Sequence, residues 1–321
     1  MAVIRNLYAG RLSDEDAELF YKLWMGLLDF VNAKCDIDSS LGRLTSPKGQ
    51  DIQKLLPLRT KIWEDVGIID AYISAEKSLN KDEISILAGW KKAINLDFIV
   101  VKHLKNHSVL MTNEKMPLLY GTIGIYSTCD EMIPKERLPV AVNCMLLPFK
   151  GKIINDSFLL GGNITFDSGY RKGLNDAYQN SKERYGIINS LDDNDELIAK
   201  HAADSARMKC IENEILVDTY NEDEEMSAWH CYLTDTLTFP FGADASKQML
   251  RSPLLSGEKV TVTGLAGMDD CYDGLVVMIQ WQGRIFAVLL EQLSLDGDTS
   301  EKTREAVEDW QYWISSHGLL Y

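Results

Sequence analysis

The acidic stretch MDDCYDG, residues 268–274, holds the residues of this chain whose types and spacing are best suited to chemistry. Three aspartates, Asp269, Asp270 and Asp273, fall within five positions. Carboxylate oxygens are ligands that Ca²⁺ prefers, and a short loop can direct several of them toward one ion. The stretch therefore indicates either a calcium site or a polar turn whose acids are simply solvated.

The spacing of these acids does not match an EF-hand. Asp269 and Asp273 occupy the first and fifth positions of that pattern, but Cys271, a soft thiol, occupies the third. The twelfth position is Gln280, where a bidentate glutamate is expected. The run LVVMIQW that follows has the composition of a strand, whereas an EF-hand continues as a helix. A calcium site here must therefore have another architecture.

A calcium site needs more oxygen atoms than this loop provides. Because Ca²⁺ takes about six to eight oxygen ligands, acids from another element must complete the shell. The candidate ligands are the loop aspartates together with Glu225 and Asp235 of a predicted helix, and further acids that could contribute are Glu222, Glu308 and Asp309. The run EDEE at the start of that helix also has a simpler interpretation, because acids in a first turn stabilise the positive end of a helix.

No motif in the chain predicts an enzyme. His103 and His107 are four residues apart in HLKNH, but their surroundings have strand composition, so we predict structural or exposed side chains and no metal. The segment LLGGNITFDSGYRKG matches neither the P-loop nor the dinucleotide-binding pattern. Ser168 does not lie in a Gly-x-Ser-x-Gly nucleophile elbow. We therefore predict a binding protein without catalytic activity, and the role of the N-terminal part stays open.

The charge of the chain excludes some partners. The 321 residues carry a formal net charge of −15, which argues against nucleic acids and anionic membranes, since both attract basic surfaces. No apolar run is long enough for a membrane span, and the N-terminus lacks the pattern of a signal peptide. The six cysteines are scattered, as is typical of reduced thiols. We expect a cytoplasmic protein with neither a nucleic-acid nor a membrane partner.

The hydrophobic periodicity predicts an α+β chain of two domains. In residues 1–215, several helices come first, beginning with a helix capped by Ser13, and a small, mostly antiparallel sheet follows after Asn95. Lys150-Gly151 stands between two apolar runs and predicts a hairpin turn. An acidic, polar segment then separates these residues from the second domain, and we place the boundary near residue 215.

Residues 216–321 predict a small β-barrel with flanking helices. A helix capped by Asn221 comes first, three strand-like runs follow between residues 259 and 289, and an amphipathic helix ends the domain. This arrangement is typical of a small SH3-like or Sm-like barrel. The domain also holds four tryptophans, which either form an aromatic binding surface or fill the core against the two helices, and we predict that at least three of them are core residues. Their positions are Trp229, Trp281, Trp310 and Trp313.

Three stretches of this second domain resemble the CcbP-type calcium-binding domain. They are WHCYLTDTLTFPFGA, GEKVTVTGLAGMDDCYDGLVVMIQWQGRIFAVLLEQL and TREAVEDWQYW. The resemblance implies a small acidic bacterial domain that binds calcium through acidic side chains without an EF-hand. The positions that it matches are Asp269 and Asp270, with Asp273 as a further contributor. Residues 1–190 resemble only uncharacterised bacterial regions fused to this domain, and that resemblance implies no function.

Two hypotheses for function follow from these observations. The first is calcium binding by a non-EF-hand acidic site in the C-terminal domain, which would act as a buffer or a sensor. The second is a protein-interaction module that keeps the barrel without tight calcium binding. Calcium titration separates the two, because only the first predicts a site that depends on Asp269 and Asp270.

Overall fold

A computed structural model describes residues 9–156, 160–161, 166–192, 194–249, 251–271 and 274–317. The chain divides into two compact units, Met1–Ile198 and Ala199–Tyr321. Helices and sheets are mixed throughout, which confirms the α+β class. The boundary near residue 215 stays a prediction and lies within the second unit.

The first unit begins with helices that pack their apolar faces together. They are α1 (Asp14–Cys35), α2 (Ile52–Glu64), α3 (Gly67–Ala75) and α4 (Lys81–Gly89). The Ser13 hydroxyl accepts a hydrogen bond from the Asp16 N–H, so the predicted cap of α1 is confirmed. The residues of α1 at helical spacing, including Phe20 and Trp24, are completely buried.

A six-stranded sheet follows the helices of the first unit. Its strands are β1 (Ile94–His103), β2 (Ser108–Thr112), β3 (Leu119–Ile123), β4 (Val140–Phe149), β5 (Lys152–Asn155) and β6 (Leu160–Gly161). The order is β1-β2-β3-β5-β4-β6, and β1 also pairs with β4. The β3–β5 pair is parallel and the other strand pairs are antiparallel, as expected for a mostly antiparallel sheet.

The predicted hairpin turn between β4 and β5 is confirmed. Lys150 and Gly151 have φ angles of 48° and 72°, and Phe149 pairs with Lys152. Positive φ at both central residues gives a turn whose twist matches that of the strands. The unit also contains α5 (Cys129–Met132) and α6 (Ser168–Tyr185).

The second unit contains a five-stranded antiparallel sheet. The strands are β7 (Phe241–Ala245), β8 (Lys259–Leu265), β9 (Val276–Trp281), β10 (Arg284–Leu289) and β11 (Leu293–Leu295). Helix α7 (Asp195–Cys210) begins in the first unit and leads through a π-helical turn, Ile211–Ile215, toward α8 (Glu222–Thr236). Helix α9 (Glu301–His317) follows the sheet.

The predicted SH3-like barrel is not confirmed. The strand order is β10-β9-β8-β7-β11, so β10 and β11 are the edges, and no pairing joins them within the described residues. The chain turns after β10 through a 3-10 helix, Leu290–Gln292, and β11 uses its three residues to pair with β7. The sheet therefore stays open, because the second edge of β11 does not pair with β10 among these residues.

Three of the four C-terminal tryptophans form a core, as the sequence predicts. Trp229 of α8 and Trp310 and Trp313 of α9 are at most 2% exposed, and their ring centroids lie 5.4–5.7 Å apart. Rings at these distances attract one another beyond the gain from burial. This cluster joins α8 to α9.

Within the described ranges, no helix is both long enough and apolar enough to cross a membrane.

Candidate metal site

The acidic loop connects β8 to β9 and is fixed at its base by backbone hydrogen bonds. The Ala266 N–H donates to the Val276 carbonyl at 2.9 Å and joins the two ends of the loop. Residues Met268–Asp270 form one turn of 3-10 helix. The His230 Nε2–H of α8 donates to the Ala266 carbonyl at 2.8 Å. The sheet and α8 thus hold the loop at the point where its acids begin.

Cys271 holds the loop from inside and does not face a ligand. Its side chain is 1% exposed, and its Sγ lies 3.4 Å from the Gly267 carbonyl oxygen, to which the thiol donates. Burial raises the pKa of the thiol above its ordinary value, so it stays protonated. The soft atom that disagrees with an EF-hand pattern therefore belongs to the core.

The loop aspartates face outward. Asp269 and Asp270 are exposed, and neither side chain has a hydrogen-bond or ion-pair partner in the part of the chain that the structure describes. Asp273 lies outside the described residues. The structure thus brings two of the three predicted carboxylates to one exposed turn with their oxygens available.

A fourth carboxylate, which was not among the predicted ligands, lies against the end of this loop. Glu291 is 8% exposed, and its Oε2 atom is buried without a hydrogen-bond partner among the described residues. A Cβ added to Gly274 would lie 3.2 Å from Glu291 Oε1. The Leu290 N–H also donates to the Leu275 carbonyl at 2.8 Å, which aligns the two segments. Glu291 therefore approaches the acidic loop from the interior.

The environment of Glu291 disfavours its charge. Burial raises the pKa of the carboxyl above its ordinary value of 4.5, and the positive charge of Lys247 and the nearby Trp310 indole only partly oppose this effect. A buried carboxylate with an unpaired oxygen is destabilising unless a cation or a donor compensates it. Glu291 is thus a carboxylate positioned where a cation would stabilise it.

The sequence contains one signal for Glu291. It interrupts the apolar run AVLLEQLSL at the end of the last predicted strand. Glutamate is rarely buried unless it is paired, so an acid within such a run indicates a functional or ion-paired side chain. Its proximity to the loop, however, depends on how the 3-10 helix after β10 packs, which periodicity does not predict.

Glu225 and Asp235, the predicted ligands on α8, make no hydrogen bond or ion pair with the acidic loop among the described residues. Glu225 and Asp235 lie five residues before and after His230, the α8 residue that contacts the loop. Five residues of α-helix rotate a side chain by about 140°, so neither acid shares the face of His230. No hydrogen bond or ion pair of either side chain is found within the described ranges. Both acids stay predictions as ligands.

The other predicted candidates have other roles or no metal geometry. Glu308 and Asp309 form ion pairs with Arg207 at 3.4 and 2.8 Å. His103 contacts Ser108 through Nδ1 and donates through Nε2 to the Ile133 carbonyl, so its role is structural, as expected. Across the described residues, no three His, Cys, Asp or Glu side chains converge closely enough to hold a metal ion.

The negative charge of the chain is concentrated in the second unit. Residues 199–321 contain 9 Lys or Arg and 21 Asp or Glu, a formal charge of −12, whereas residues 1–198 contain 24 and 27, a charge of −3. Clustered charge of one sign raises the local concentration of opposite ions. The unit that carries the acidic loop therefore attracts cations.

Comparison with known proteins adds an independent observation. A family model for CcbP, described as calcium binding, matches residues 209–314. The protein in the crystal structure of Anabaena CcbP is 31% identical in sequence to this chain. The match spans 35% of this chain and 90% of the CcbP chain, with a TM-score of 0.31. The chain belongs to the CcbP calcium-binding family. A second solved structure, a calcium binding protein in the calcium-binding form, is 30% identical over 35% of this chain and 92% of its own length, with a TM-score of 0.32.

The CcbP match confirms the resemblance that the sequence indicated and sets its limits. It includes the acidic loop and Glu291, and it begins after the first unit has ended. No curated protein matches the chain. Membership of the CcbP family therefore bears on the C-terminal third, and the first unit has no named relative.

Proposed function

We propose that the second unit binds Ca²⁺ at a non-EF-hand site that forms when Asp269 and Asp270 of the β8–β9 loop and Glu291 close on the ion, since these three carboxylates do not converge among the described residues. The observation that carries this proposal is the buried, incompletely paired carboxylate of Glu291 at the end of the loop. Asp273 is the predicted fourth carboxylate. The proposal assigns binding, and no catalytic step, to this unit.

The chemistry of these donors favours a hard cation. The side chains that would face the ion contribute only carboxylate oxygens, while the Cys271 sulfur is buried and donates to the Gly267 carbonyl. Calcium binds carboxylates at about 2.3–2.6 Å and tolerates irregular geometry, which suits ligands from an exposed turn and a buried side chain. Zinc would instead favour histidine or thiolate ligands.

The proposed site also explains why Glu291 is tolerated in the core. A bound cation would compensate its buried charge and the mutual repulsion of Asp269 and Asp270. Family membership supports calcium as the ion, since a relative 30% identical to this chain is a calcium binding protein in its calcium-binding form. The charge of −12 on this unit also favours cation binding.

Calorimetric titration of the full chain with CaCl₂ tests this proposal. We expect saturable binding that is lost or at least tenfold weaker in Glu291→Gln and in Asp269→Asn/Asp270→Asn. Glu301→Gln is the matched control, because Glu301 is an exposed acid in the first turn of α9. Parallel titration with MgCl₂ measures selectivity, and we expect weaker binding, because Mg²⁺ requires a nearly ideal octahedral shell.

The outcomes distinguish the function from the site. An unaltered chain that shows neither heat nor a thermal shift at millimolar calcium would exclude the proposed function. Equal binding by all four proteins would place calcium elsewhere and refute the assignment of Glu291 and the loop.

A further inference from the structure

A cleft in the first unit is unrelated to the acidic loop and has no assigned role. Its volume is about 270 Å³, and the β1–β2 turn, β3, the β4–β5 hairpin, the segment before α1 and the segment after α6 all contribute to its lining. Pockets for drug-sized ligands measure about 300–1,000 Å³, so this cleft suits a smaller molecule. Its polar lining includes Arg11, Asn106, His107, Lys152 and Asn189.

Gly121 allows two of these polar side chains to meet over the floor of the cleft. A Cβ at Gly121 would lie 2.2 Å from Asn189 Oδ1 and 2.9 Å from His107 Cδ2, closer than real Cβ atoms approach other atoms. The Gly121 N–H donates to the Ile188 carbonyl at 2.8 Å, and this bond holds the Asn189 segment against β3. The His107 imidazole and the Asn189 amide can therefore both lie over residue 121 only because it is a glycine.

The His107 imidazole lines the cleft and has one ring nitrogen available for a hydrogen bond. Its Nε2 atom is buried and has no hydrogen-bond partner among the described residues. Burial lowers the pKa of the ring below its ordinary value of 6.5, so the ring is neutral at pH 7. Neutral imidazole can donate through one nitrogen, and a rotation of this ring, which lines the cleft, would bring Nε2 to an acceptor oxygen bound there.

The cations beside the cleft give it a positive character that the chain as a whole lacks. Arg11 pairs with Asp14 at 2.8 Å, and the nearby Lys150 pairs with Asp16. Lys152 lines the cleft, and no ion pair of its amine is found within the described ranges. Lys152 also lies close enough to Asp16 to lower the pKa of that carboxyl. The three cations Arg11, Lys150 and Lys152 nevertheless exceed the two acids Asp14 and Asp16 by one positive charge.

We propose that this cleft binds a small oxyanion, a carboxylate or phosphate group, through Lys152, Arg11 and His107. The ammonium and guanidinium groups would attract the charge, and the imidazole N–H would donate to one of its oxygens. The small volume restricts the ligand to a compact carboxylated or phosphorylated molecule.

NMR of the histidine imidazoles in the full, calcium-free chain tests this proposal. The protein is titrated with sodium phosphate, sodium acetate and sodium chloride at matched ionic strength, and His107→Gln identifies the resonance. We expect a saturable shift of the His107 signal with phosphate or acetate, and a rise of its pKa, because a nearby anion favours imidazolium. The probe that saturates at the lower concentration identifies the preferred oxyanion.

Two variants make the test specific. Lys152→Gln should weaken binding about fivefold, as expected for one charge contact in a largely aqueous medium. Lys105→Gln removes the same charge two residues from His107 but outside the lining, and it should leave the affinity unchanged. The absence of any shift, an equal response to chloride, or equal losses in both variants would overturn the proposal.

Discussion

Glu291→Gln should be more stable than the unaltered chain without calcium and less stable than it when calcium is bound. Glutamine keeps the shape of the side chain and removes a charge that burial disfavours. Because an unsatisfied buried polar group costs about 1–3 kcal/mol, and Lys247 and Trp310 partly compensate, we expect calcium-free Glu291→Gln to gain about 1 kcal/mol in the free energy of unfolding. For a domain of this size, that gain corresponds to a rise in Tm of about 4 °C.

The pH dependence gives the same prediction a second test. The pKa of Glu291 is raised in the folded protein, so the folded state holds its proton more tightly than the unfolded chain does. Its contribution to stability is complete below the ordinary value of 4.5 and is lost as the pH rises through the raised pKa. The advantage of Glu291→Gln should therefore appear above that pKa and disappear in acid.

Calcium should reverse the order of the two proteins. A ligand at 100 times its Kd stabilises the folded state by about 2.7 kcal/mol, and we expect the unaltered chain to gain this amount and the variant little of it. Scanning calorimetry of both full chains, with and without saturating calcium, measures the four values, and Glu301→Gln is the control. If calcium-free Glu291→Gln is less stable than the unaltered chain and keeps the full calcium effect, then Glu291 is a structural residue and the reasoning is wrong.

Three further predictions concern the first unit. Gly121→Ala should lower the free energy of unfolding of this unit by about 1–3 kcal/mol, because the added methyl group displaces Asn189 and His107. Gly173→Ala, in an open part of α6, should raise it by about 0.5–1 kcal/mol. Urea denaturation that gives both variants a change of the same sign would contradict this prediction. Asp156→Ala should lower the free energy of unfolding by about 3–5 kcal/mol in the same assay, because Arg59 loses its buried carboxylate; a loss below about 1 kcal/mol would show that the ion pair is not stabilising. Stability should also fall as the pH drops from 6.5 through the lowered pKa of His107, and thermal scans of His107→Gln should show a smaller fall.

Local features of the fold were predictable from the sequence because each is decided within a few residues. The apolar spacing and the Ser13 cap define α1, and the Lys150-Gly151 pair defines the turn between β4 and β5. The tryptophans of α8 and α9 were predictable as core because large aromatic rings on helical faces need burial. In each case the chemistry of neighbouring residues is sufficient.

Features that depend on contacts between distant segments were not predictable. Whether the second sheet closes depends on whether β11 pairs with β10 as well as with β7, and the sequence of a three-residue strand does not specify this. Glu291 faces the loop because the Leu275–Leu290 hydrogen bond aligns two segments that are fifteen residues apart. The loop itself was identifiable because its three aspartates are consecutive or nearly so, whereas a site completed by another element is visible only in the folded chain.

A crystal structure of the full chain grown with calcium tests the proposed site most directly, since anomalous scattering locates the ion. We predict a calcium ion within about 2.3–2.6 Å of a Glu291 oxygen and of carboxylate oxygens from Asp269 or Asp270. Calcium bound only to other residues, with no calcium at the Glu291 carboxylate, would contradict the assignment.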